Sequence, residues 1–123
     1  MSPTDFTRIA VVVPANDPDT AYRIDLGPDD ESAYRALSAA VGGFIEIVRL
    51  SDRVDMVLNE VGKLQGLPVN RVATGLGQSY GGLDPSDVVV GDVVLIGNDG
   101  SPETVGLHSD DLADLDAPEV PGG

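Results

Sequence analysis

Apolar residues fall along this chain in short runs whose spacing switches between every second position and every third or fourth. Ile9-Ala10-Val11-Val12-Val13 is a continuous apolar run closed by Pro14, which predicts a buried strand. Asn16-Asp17-Pro18-Asp19 has turn chemistry. Tyr22, Ile24 and Leu26 then alternate with polar residues, predicting a second strand that pairs back on the first. After Gly27-Pro28 the period lengthens. Asp29 or Asp30 can cap a helix whose inner stripe is Tyr34, Leu37 and Val41 flanked by Ala33, Ala36 and Ala40, and Gly42-Gly43 ends it.

Phe44 to Leu50 and Val54 to Asn59 read as strands joined by Ser51-Asp52-Arg53. The first is apolar on both faces, which predicts a central strand; in the second, Val54, Met56 and Leu58 face inward while Asp55 and Asn59 point away. Asn70, just after Pro68, can cap a short helix through Thr74 or Leu76. Val88-Val89-Val90, broken at Gly91-Asp92, leads into Val93 to Ile96, and Asn98-Asp99-Gly100 turns the chain toward a last strand, Glu103 to Leu107. From Ser109 onward the acids, two prolines and Gly-Gly end predict a disordered acidic tail. The expected architecture is α+β: a mainly antiparallel sheet built from hairpins with one packed helix, in the order β-β-α-β-β-short helix-β-β. Residues 1–108 form a single domain and residues 109–123 the tail.

Charge changes this picture most. Sixteen Asp and five Glu stand against six Arg and Lys63, a formal net charge of −14. Removing the last fifteen residues still leaves sixteen acids against seven bases. Such a field repels phosphates and anionic lipid, so nucleic acid and membrane partners are disfavoured. Solubility, as on a salt-adapted surface, explains the acidity more simply than mimicry of DNA, because the carboxylates gather at turns and ends rather than along one helix. Recruitment of a basic partner by the tail is the third possibility. No apolar run approaches the length of a membrane span and no basic-then-apolar leader opens the chain, so a cytoplasmic protein is expected. Without Cys, disulfides and thiolate metal sites are excluded.

Several motifs fail on context. Gly77-Gln78-Ser79-Tyr80-Gly81 fits G-x-S-x-G, but a nucleophile elbow needs a strand entering and a helix leaving, plus a placed His. Here a helix precedes it, and the sole His, His108, borders the expected tail; a flexible loop is the simpler account. The glycines 75, 77, 81 and 82 lack phosphate-loop spacing and a following Lys. His108 with Asp110 and Asp111 would sit on a mobile segment that cannot preorganise a metal. Glu46 interrupts an apolar strand and is expected to pair with Arg49, Arg71 or Lys63 rather than serve as a general base.

The best candidate site is Asn59, Glu60, Lys63, Asn70, Arg71 and Thr74. It combines directional amides with a local concentration of positive charge, since Arg53, Lys63 and Arg71 lie within nineteen positions. The plainer alternative is that Asn59 to Gly62 is only a turn and Asn70 only a cap.

Phe44 to Leu50, Asn59-Glu60-Val61-Gly62-Lys63-Leu64, Gly66 to Thr74 and Gly91 to Gly97 together resemble a family of small actinobacterial and phage proteins, domain of unknown function 3846. Its members read GGYIEIV, then NExGKLxGLPxNRxAT, then VGDxxLxG. Phe44 stands here where Tyr is frequent, and Val72 where a second Arg is frequent, which weakens an anion site. The resemblance implies a phage, plasmid or accessory-gene setting and brings no catalytic residues. The expected function is therefore a non-catalytic accessory binding protein for a host protein or small anionic ligand. The alternatives are a small enzyme using Glu46, Asn70 and Arg71 on a nucleotide-like substrate, or a DNA mimic that inhibits a basic protein. Neither a cofactor nor an oligomeric state is indicated.

Overall fold

The computed structural model of the protein describes residues 5–16 and 20–115. Its elements run β1 (Ile9–Val13), β2 (Tyr22–Asp25), α1 (Asp30–Val41), β3 (Ile45–Arg49), β4 (Val54–Asn59), α2 (Arg71–Tyr80), β5 (Val93–Gly97) and α3 (Ser109–Leu115). The strands form one antiparallel sheet in the order β2-β1-β5-β4-β3. This is the expected α+β class and order, with three helices where one packed and one short helix were expected.

The sheet has a core on each face, because side chains alternate along every strand. Ala10, Val12, Val57, Val94 and Ile96 pack beneath α1, against Ala33, Leu37 and Val41. Val11, Val13, Met56, Val93 and Leu95 point the other way, toward Ala73 of α2, Leu107 and Leu112 of α3. The α1 cap is reciprocal: Asp29 accepts from the Ser32 N–H at 2.8 Å, while the Ser32 hydroxyl accepts from the Asp29 N–H. The inner stripe is Ala33-Leu37-Val41, and Tyr34 stands outside it, 45% exposed. Gly91, at φ +77°, makes the break anticipated between Val90 and β5.

The structure corrects four expectations about the strands and the tail. The both-sided apolar strand in the sheet's interior is β5, wholly buried; β3 is an edge strand with Glu46, Ile47 and Arg49 exposed. Asn59 does not point away: β4 is interior, so its outer face lies under α1, and Asn59 is buried there. The segment around Val105 makes a single bridge to Gly97, with further backbone bonds to Thr7 and Ile9, in place of a full strand.

The fourth concerns the tail. Residues 109–115 form α3, whose Leu112 is buried in the second core and whose Asp111 accepts two hydrogen bonds from Arg53, at 2.7 and 2.8 Å. The acids are held there by a partner and a buried leucine, which composition alone does not reveal. His108 is likewise buried; its Nδ1 accepts from the Asp110 N–H at 3.1 Å, capping α3, and its ring meets Phe6 edge-on. The rest of the expected tail, 116–123, and positions 17–19 of the expected turn lie outside the described residues. Among the described residues, no helix is long and apolar enough to cross a membrane.

Candidate functional site

Beyond the hairpin of β3 and β4 the chain makes a compact turn over residues 60–67, and a side-chain amide fixes it. Asn59 Oδ1 accepts from the Val61 N–H at 2.9 Å, and its Nδ2 donates to the Val41 carbonyl at 3.1 Å, tying the turn to the end of α1. The turn also closes on its own backbone, with the Leu67 N–H donating to the Gly62 carbonyl.

Across from this turn, residues 87–90 are held against α2. Thr74 Oγ1 accepts from the Val89 N–H at 2.9 Å and donates to the Asn70 carbonyl at 2.8 Å. Asn70 is fully buried. Its Oδ1 accepts from the Ala73 N–H as the α2 cap, and its Nδ2 donates to the carbonyls of Val13 and Gly91. α2 runs on to Tyr80 and ends at Gly81, φ +85°, so the G-x-S-x-G residues are a helical last turn rather than a flexible loop. Gly82 then lies so close to β3 that a Cβ there would sit 2.2 Å from the Arg49 carbonyl oxygen.

Between these walls is a cleft of about 160 Å³. Its floor is the outer end of the sheet, where Val48 faces Met56 and Glu46 faces Leu58 across the β3–β4 ladder. Leu83, Val88 and Val89 form one wall; Val61 and Leu64, the latter 89% exposed, stand on the other. Lys63 from the turn pairs with Asp87 from the opposite wall at 2.5 Å, an ion pair that straps the two walls together. That pair and the Val88 N–H hold the Asp87 carboxyl below the usual carboxylate range. With Lys63 so engaged, Glu46 and Glu60 give the lining a negative balance.

The sequence-derived cluster is thus divided. Asn59, Glu60 and Lys63 line the cleft; Asn70 and Thr74 brace its far wall from behind; Arg71 is exposed on α2 and does not line it. Glu46 is exposed and pairs with none of Arg49, Arg71 or Lys63. The three residues named for carboxylate-based catalysis do not converge, since of these only Glu46 lines the cleft. Spacing gives the lining residues Val48, Leu58 and Val88 as strand positions and Leu83 as a loop position, with nothing to bring them together. The signal available was Glu46 itself, with Val61 and Leu64 as apolar residues in a turn. Among the described residues no three His, Asp or Glu side chains gather in a metal-holding group.

The model of the family described as domain of unknown function (DUF3846) matches residues 8–117, and the chain belongs to that family. No curated protein and no solved structure matches it.

Proposed function

We infer that this member of the family is a non-catalytic binding protein of the cytoplasm whose site is the cleft between β3, the 60–64 turn and the 83–90 segment. The observation that carries this is the cleft's composition. An apolar floor and wall meet a rim in which Glu46, Glu60 and Asp87 outnumber Lys63. A space of about 150 Å³ holds a benzene-sized group, so the cleft suits one ring or branched side chain. The rim favours a ligand bearing a cation beside that apolar body. An anionic ligand fits less well, because the basic groups that would receive it are the strapped Lys63 and the distant Arg71. A binding role agrees with the accessory, phage- or plasmid-linked setting that the family resemblance implies.

Two small probes test the charge and the place together. In protein-observed NMR at pH 7, benzylamine should shift the methyl resonances of Val48, Leu58, Leu83 and Val89. Phenylacetate, which carries the same ring beside an anion, should shift them at least fivefold less at the same concentration. Equal or stronger shifts with phenylacetate would return the site to the anionic class, and no shifts at these methyls with either probe would remove the cleft as the site.

A further inference from the structure

Among the described residues, the outer edge of the sheet beside the cleft is left open, and its hydrogen-bonding groups can be assigned. The Leu50 N–H donates to the Val54 carbonyl and the Glu60 N–H donates to the Phe44 carbonyl. In an antiparallel ladder the residues that bond the neighbour alternate with residues that face away. The even-numbered positions of β3 therefore face β4, and Ile45 and Ile47 present their N–H and C=O groups outward, where the strand order ends. Gly82 closes the run by lying against the Arg49 carbonyl.

This edge is also apolar on its surface: Ile47 is 52% and Phe44 72% exposed. The opposite edge, β2, carries Arg23 and Asp25. Native sheets blunt their edges with charges, bulges or Pro. Here the exposed charges are Glu46, which turns into the cleft, and Arg49, beside Gly82.

We propose that β3 accepts an extended segment of a basic partner protein as a sixth strand, with alternating Lys or Arg and β-branched apolar residues. The choice of occupant rests on charge. A strand added here would place alternate side chains over Glu46 and Val48 on the cleft side, and the intervening ones over Ile47 on the α1 side. Lys or Arg opposite Glu46 meets an unpaired carboxylate and lays its aliphatic stem on Val48, while a Val or Ile opposite Ile47 covers its exposed surface. The net charge of −14 draws a basic segment and repels a second copy. The proposal rests on the cationic, amphipathic character assigned to the cleft's ligand and specifies the kind of macromolecule that supplies it.

The probe is a fluorescein-labelled Lys-Val-Lys-Val-Lys-Val-Lys-Val peptide, titrated by anisotropy at ~0.15 M NaCl against the full chain. A Glu-Val repeat, and a Lys-Val repeat with alternate Val replaced by Pro, are the controls. Binding to the Lys-Val peptide should exceed binding to either control at least tenfold. Ile47→Pro, which removes an outward N–H, should lose the peptide at least tenfold while keeping the benzylamine response. Glu46→Lys should reverse the preference toward the Glu-Val repeat, and it decides the matter if Ile47→Pro does not fold. Equal binding of the Lys-Val and Pro-containing peptides would show mere adherence to an acidic surface and overturn the proposal. So would sedimentation of the free protein as a dimer that Ile47→Pro dissociates, because the edge would then hold a second copy. Benzylamine binding without peptide binding sinks this proposal alone; loss of both sinks the cleft as well.

Discussion

Asn70 and Arg71 are neighbours in sequence and opposites in consequence. Asn70 is buried with three side-chain hydrogen bonds, two of them to carbonyls from distant parts of the chain. Asn70→Ala should cost about 2–4 kcal/mol in urea unfolding, since it removes a helix cap and leaves buried carbonyls unpaired. Asn70→Asp keeps the cap acceptor yet aims a carboxylate at the carbonyls of Val13 and Gly91, so at pH 7 it should be no more stable than the alanine variant. Arg71→Ala should stay within about 0.5 kcal/mol, as an exposed side chain outside any tight network. A loss at Arg71 as large as that at Asn70 would contradict this division. The cap at Asn70 is legible in sequence because capping is local. Its bonds to Val13 and Gly91 are not, because they exist only once β1 and β5 lie side by side.

At the scale of elements, spacing renders local structure well and misjudges α2, β3 and α3 for identifiable reasons. α2 extends past Leu76 despite Gly75 and Gly77, each of which disfavours helix by about 1 kcal/mol. Tertiary packing overrides that propensity: a Cβ on Gly77 would lie 3.0 Å from that of Leu83, so the glycine lets the 83–90 wall close on the helix. Two apolar faces predict a central place for β3. One of those faces instead floors the cleft, and Ile47 on the other remains half exposed. Where pattern and position disagree, the surplus apolar surface marks the candidate site. α3 is too short and too acidic to announce itself, but its packing yields a direct test. Leu112→Ala should destabilise by about 2–3 kcal/mol, as a buried leucine truncated in a core. Truncation after His108 should cost more, because it also strips the carboxylate from Arg53. A truncated chain with an unchanged thermal melt would restore the segment to a dispensable tail.

For the whole molecule, seven basic side chains cannot neutralise more than a third of twenty-one acids, so the folded state carries uncompensated repulsion. Raising ionic strength from 0.1 to 1 M shortens the screening length from about 10 to about 3 Å. Repulsion among surface carboxylates should fade and the melting temperature should rise by several degrees across that range. The same field concentrates cations at the cleft rim, so screening should weaken benzylamine binding while it strengthens the fold. The two responses therefore carry opposite signs, and one salt series followed by melting and by NMR titration reads both. If the melt is flat, the acids are spaced widely enough that repulsion is negligible, and solubility alone accounts for them. If affinity is independent of salt while the melt rises, the probe is held by the apolar floor of Val48, Met56 and Leu58, and Glu46 and Glu60 do not contribute to recognition.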